Sequence, residues 1–106
     1  MIKVVYCFAR KPDLTVDEFS RYWRDVHGPL GARIPGLRRL VQSVAIHDPR
    51  DAHAPSFDGM AELWFDDLES LLGARSSPEW CAATDDEVHF IDHSRTAYFV
   101  SEERAV

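Results

Sequence analysis

TVDEFSRYWRDVHGPL, residues 15–30, reads as a helix with both ends marked. Thr15 and Glu18 have the spacing of a capping box, in which each side chain satisfies a backbone N–H at the helix start. Asp17 and Glu18 add negative charge to the first turn, where the helix dipole favours it. Gly28-Pro29 reads as the stop, with Gly28 expected at positive φ and Pro29 unable to continue the ladder. At about 100° per residue, Val16, Phe19, Tyr22, Trp23 and Val26 share one face, and Asp17, Glu18, Arg21, Arg24 and Asp25 the other. His27 falls on the margin of the apolar stripe, beside Trp23. An imidazole half under a core is the strongest chemical candidate in the chain. A histidine in a last turn also serves simply as a partner for the helix C-terminus.

Around this helix the chain has 106 residues, 45% of them hydrophobic and 28% charged, which suits one soluble domain, 1–106, with one core. The net charge of −6 argues against nucleic acid or an anionic membrane as partner. No apolar run approaches the roughly 20 residues of a membrane span, and the N-terminus lacks the apolar segment and cleavage site of a secretory signal. Cys7 and Cys81 stand in apolar settings and read as free, buried thiols of a cytoplasmic protein.

In chain order, Ile2 to Ala9 reads as a strand apolar on both parities, hence buried on both faces. Pro35-Gly36 marks a turn after the helix. Leu37 to His47 and Phe57 to Phe65 read as the second and third strands, separated by the polar loop DPRDAHAPS, a candidate lid. Asp66 or Asp67 caps a second helix that buries Leu68, Leu71 and Leu72. It breaks near Gly73 to Ser77 and restarts at Pro78 with Ser77 as cap. That restart runs from Glu79 to about Phe90, with Trp80, Ala83 and Val88 as its expected buried side, and Ser94 to Glu102 is the last strand.

Strand, helix, strand, strand, helix, strand is the split βαβ order of a ferredoxin-like α+β domain. Right-handed crossovers put both helices on one face of a four-stranded antiparallel sheet, with the first and third strands central. The other sheet face has no cover within the chain, although the first and last strands are apolar on both sides. A second copy packed sheet to sheet would cover it, which predicts a homodimer approaching a dimeric α+β barrel.

The helix also carries a specific resemblance. Phe19, Trp23, His27 and Pro29, as F-x-x-x-W-x-x-x-H-x-P, are similar to the signature of the EthD-type family of the dimeric α+β barrel superfamily. The opening IKVVYCFARKPDLT, the PGLRRLVQ and DGMAELWF strands and the closing EVHFIDHSRTAYFVSEE extend that resemblance over nearly the whole chain. It implies a cavity between sheet and helices with His27 and Trp23 on its wall, and small apolar or aromatic ligands. Roles in such relatives include lactone isomerases, polyketide cyclases or dehydratases, cofactor-free oxygenases and accessory proteins of ether degradation. Some superfamily members degrade haem with an Asn, a Trp and a helical His. Trp64 could stand for the Trp, but Leu68–Ser77 carries no His and the first strand no Asn, so haem chemistry is not expected.

The expectation from residues and resemblance together is a cofactor-independent lyase or isomerase acting on a small apolar or aromatic compound, with His27 as general acid or base. The alternatives are a non-catalytic binding or accessory protein and a cofactor-free oxygenase. Tyr6, Phe8, Trp23, Trp64, Trp80 and Phe90 supply candidate ligand wall, Tyr6 and Trp23 foremost. Glu62 joins them if its strand face is inward; otherwise it is an edge carboxylate meeting Arg38, Arg39 or Arg95. His89 and His93 have helical metal-ligand spacing but no compact third ligand, so no metal is expected. No phosphate loop, dinucleotide fingerprint or nucleophile elbow is present, and no cofactor is expected.

Overall fold

A computed structural model describes all of residues 1–106. The elements are β1 (Ile2–Arg10), α1 (Val16–Tyr22), a π-helical turn (Trp23–His27), α2 (Gly28–Gly31), β2 (Arg39–Val44), β3 (Gly59–Phe65), α3 (Leu68–Arg75), α4 (Pro78–Asp86), a 3₁₀ turn (Glu87–His89) and β4 (Ile91–Glu102). The sheet order is β2-β3-β1-β4 with every neighbouring pair antiparallel, which is the ferredoxin-like arrangement. No helix is long and apolar enough to cross a membrane.

The caps form as their chemistry requires. The Thr15 hydroxyl accepts from Glu18 N–H while the Glu18 carboxylate accepts from Thr15 N–H. Asp67 and Ser77 cap α3 and α4 by the side chain alone, accepting from the Ser70 and Trp80 N–H, with Pro78 in the first turn of α4.

The helix stop differs from the sequence expectation. Gly28 sits at φ −52° and the chain stays helical through Gly31; the positive φ belongs to Gly36 in the following turn. Pro29 is accommodated because it stands in the first turn after the π segment, where a missing N–H is tolerated. Within that segment the Gly28 N–H bonds five residues back, to the Trp23 carbonyl. One residue is thereby added to the turn, which sets everything after it back by about 100° relative to an unbroken α-helix. Val26 is turned outward and is 46% exposed, and His27 takes the inward direction that Val26 would have held.

Other expectations on burial are also corrected. Val16 lies at the edge of the stripe and is exposed. In α3 only Leu71 and Ala74 are buried, while Leu68 and Leu72 face water because the short helix presents a single narrow stripe to the sheet. The last helix ends at Asp86 and tightens into the 3₁₀ turn, leaving Val88 exposed. Cys81 is on the outer side of α4 and exposed; Cys7 is half-buried.

Strand parity sorts the sheet into two faces. Paired rows across β2, β3, β1 and β4 place Leu40, Leu63, Val4 and Val100 together, and Gln42, Ala61, Tyr6 and Tyr98 together, under the helices. The alternate rows, Arg39–Trp64–Lys3–Ser101 and Val41–Glu62–Val5–Phe99, lie on the open face. The core falls into two clusters on the helix side. One holds Val4, Ile34, Phe65, Leu71, Ala74 and Ala83; the other holds Phe8, Phe19, Trp23, Ala61, Phe90 and Ile91.

Candidate functional site

Where the two core clusters meet they leave a cavity of about 300 Å³, walled mainly by apolar side chains. Its floor is the helix-facing side of the sheet, with Tyr6, Phe8, Ala61 and Leu63; its walls include Trp23, His27 and Ile34 on one side and Trp80, Ala83 and Glu87 on the other. An apolar cavity with a few convergent polar groups is the usual form of a small-molecule site.

Each wall is placed by a local packing rule. Trp23 is buried at the π turn, edge-on to Phe8 at 5.0 Å between ring centroids. Its indole lies directly over Gly59, where a Cβ would come within 2.7 Å of the six-membered ring; glycine is the residue that lets helix and strand approach this closely. The Trp23 carbonyl accepts from the Gln42 side-chain amide at 2.9 Å, so the widened turn is tied to β2.

The site's ionisable core is a three-residue chain. His27 Nδ1 lies 2.9 Å from Asp86 Oδ2, and the Tyr22 hydroxyl donates to Asp86 Oδ1 at 2.6 Å. The His27 and Asp86 side chains are only 15% and 11% exposed. Because the carboxylate accepts, the proton of a neutral imidazole is held on Nδ1, which leaves Nε2 as the basic nitrogen available to the cavity. Phe90 packs on the imidazole at 4.7 Å and fixes its plane. Burial, then the hydrogen bond and charge of Asp86, push the Tyr22 phenol up to about 12, so it remains a donor across the physiological range.

A second carboxylate stands one residue further on. Glu87 lines the cavity, and its Oε1 accepts from the Tyr6 hydroxyl at 3.3 Å and lies 2.9 Å from His93 Nε2. Burial, followed by the charge of Glu87 and the hydrogen bond to it, holds the Tyr6 phenol above its ordinary value.

Tyr6, Phe8, Trp23, His27 and Trp80 are thus brought together around the cavity. Three other candidates are not. Phe90 lies behind His27 in the core, in contact with Phe8, Phe19 and Tyr22 rather than with the cavity. Trp64 and Glu62 are on the opposite sheet face because their strand parity is that of Lys3 and Val5. There Glu62 pairs with Lys3 at 2.7 Å, not with Arg38, Arg39 or Arg95, and the Trp64 indole N–H donates to Glu103 at 2.6 Å. His89 and His93 diverge, the first toward Tyr22 and the second to Glu87, and no three His, Cys, Asp or Glu side chains converge.

Sequence reasoning missed Asp86, Tyr22 as its donor, Glu87 and Gln42. The available signal was the pair Asp86-Glu87 at the end of a helix that must pass the first helix's C-terminal half in this topology.

The EthD domain model matches residues 11–94, a span that includes Tyr22, His27, Asp86 and Glu87. An uncharacterised 11.0 kDa protein from the thcB–thcC intergenic region of Rhodococcus erythropolis is 29% identical over 85 residues, covering 80% of this chain and 81% of that protein. The crystal structure of an EthD family protein from Bacillus halodurans is similar with a TM-score of 0.82 at 27% identity, over 98% of this chain and 99% of that one. A dimeric protein of ferredoxin-like fold from Bacteroides fragilis shares the fold with a TM-score of 0.68 at 18% identity, over 96% of this chain and 95% of that one.

Proposed function

Because this chain belongs to the EthD domain family, we propose that it is a cofactor-independent lyase or isomerase that moves a proton on a small apolar or aromatic molecule held in the cavity. The observation that carries this reading is the Tyr22–Asp86–His27 chain at the cavity wall. Tyr22 fixes one carboxylate oxygen and Asp86 fixes the imidazole tautomer, so Nε2 meets the ligand as a base and, once protonated, returns the proton as an acid. Asp86 would also stabilise the imidazolium formed between the two transfers. Isomerisation, dehydration and aldol-type cyclisation each need only such a transfer in a site that excludes water.

The same reading makes the chain a homodimer whose two open sheet faces meet. The apolar row of Val41, Val5 and Phe99 on that face supports it, with Phe99 56% exposed in the single chain. The proposed setting is the reducing cytoplasm, in keeping with the free Cys7 and Cys81.

The test is a screen of small cyclic and aromatic carbonyl compounds, followed by proton NMR in D₂O to detect exchange or conversion. His27→Gln should lower the rate by about 10²–10⁴-fold while leaving binding in place. A variant that keeps full turnover would sink the acid–base role. A wild-type protein that binds but converts nothing, with His27→Gln changing affinity alone, would make it an accessory binding protein.

A further inference from the structure

Building on the cavity reading above, we propose that Glu87 anchors the ligand by accepting a hydrogen bond from the ligand's own hydroxyl, and that the cavity therefore selects neutral, hydroxyl-bearing ring compounds over carboxylates.

Donors and acceptors are unequally used at the cavity wall. Several donors are spent inside the protein, while the Trp80 indole N–H and the Tyr98 hydroxyl proton, both on neutral groups, have no protein acceptor. The Tyr6 hydroxyl donates to Glu87, the Gln42 amide to the Trp23 carbonyl, and the Thr84 hydroxyl to the Cys81 carbonyl at 3.1 Å. The Nδ1 proton of His27 is directed to Asp86. Acceptors are left over. Both contacts to the Glu87 carboxylate fall on Oε1; Oε2 has no protein partner and is not among the buried orphan atoms, so it is open to a ligand. The free nitrogen of His27 is a second acceptor.

Charge points the same way. No lysine or arginine lines the cavity. The nearest cation, Arg75, lies over the rings of Trp80 and Tyr98 and donates to the Tyr98 hydroxyl. A carboxylate entering the cavity would give up its hydration, gain no cation and face Glu87, which is the costly way to bury a charge. A phenol or enol would instead find an acceptor already held in place by Tyr6 and His93, and its acidified C–H or O–H would be within the same small volume as His27.

The experiment compares 1-naphthol with 1-naphthoate, which share a ring system and differ in the polar group. Both are titrated calorimetrically into the full chain at neutral pH, with NMR shifts of the Ala61 and Ala83 methyls locating the bound ring. Naphthol should bind at least about ten-fold more tightly, and Glu87→Gln, which removes the charge and adds a donor, should narrow or invert that preference. Naphthoate binding equally well or better in the wild type would overturn the proposal, and its loss in Arg75→Gln would move the anchor to the mouth of the cavity. That result leaves the His27 reading standing. Failure of both compounds to shift the cavity methyls would overturn the anchor and the cavity reading together.

Discussion

At the scale of single residues, the site depends on contacts that leave little room for substitution. A Cβ on residue 59 would press into the Trp23 indole and come within 3.2 Å of Phe19. Gly59→Ala should therefore cost about 1–3 kcal/mol through overpacking, read as a lowered midpoint of thermal unfolding, and should shrink the cavity by displacing Trp23. An unchanged midpoint would show that the indole moves freely. Tyr22 makes a second prediction, through pH. Folding pushes its phenol from the ordinary value of about 10 up to about 12. A raised folded value favours the protonated, folded form, so the contribution is complete below pH 10 and is lost as pH climbs toward 12. Tyr22→Phe should remove that part of the alkaline loss of stability, which unfolding curves between those limits would detect. His27 was legible in the sequence through its motif and its place beside Trp23. Asp86 was not, because its link to His27 spans 59 positions and exists only once two helices are packed on one sheet. The sequence places Trp64 on the ligand wall, and leaves Glu62 open, for a related reason. Both parities of β3 are substantially apolar, and only the pairing with β1 settles which one faces the helices.

At the scale of the element, the π turn connects local chemistry to the site. An unbroken α-helix would point Val26 into the core and leave His27 at the edge. The added residue reverses the two, and Gln42 holds the widened carbonyl. Val26→Lys should therefore change stability by less than about 0.5 kcal/mol, as expected for an exposed position. A loss of several times that amount in denaturant unfolding would mean that Val26 is buried and the helix regular. The helix starts were legible because a cap is a short-range pattern, Thr15 with Glu18 or Ser77 with Pro78, that needs no tertiary information. The π turn was not, because nothing in WRDVH departs from ordinary helix-forming composition. The turn's contacts are tertiary: a glutamine from β2 on the Trp23 carbonyl, and the space above Gly59 for the indole. The strand ends shortened for similar reasons: the Leu37 N–H turns back to the Ile34 carbonyl, and Ala45 keeps a single bond to the Asp58 carbonyl before the chain leaves the sheet for the loop.

At the scale of the whole molecule, the two sheet faces have unequal fates. The helix face is consumed by the two core clusters and the cavity. The open face carries Val41, Val5 and Phe99 in one row and Met60, Cys7 and Ala97 in the next. Its charges are mixed in sign: Lys3 pairs with Glu62 at 2.7 Å and reaches Glu103 at 4.0 Å, and Arg39 lies over the Trp64 ring, so a second copy would meet no block of like charge there. Burial also pushes the Cys7 thiol up, with the charge of Glu62 adding to it, so this face presents a protonated, apolar thiol rather than a thiolate. A surface of this kind gains most by meeting its own image, since a two-fold interface buries every apolar residue twice. Light scattering at micromolar concentration should accordingly give twice the mass of the 12.1 kDa chain. Phe99→Glu puts a charge at the centre of the apolar row and should weaken association by about 100-fold, the scale of losing a buried aromatic anchor. If the cavity is indifferent to the partner, naphthol titration of the dissociated variant will match the wild type. A parallel loss of binding would instead mean that pairing of the sheets sets the spacing between Tyr6 and His27. A wild-type chain that remains monomeric at those concentrations would require another cover for Phe99, and would remove the sheet-to-sheet dimer from the account.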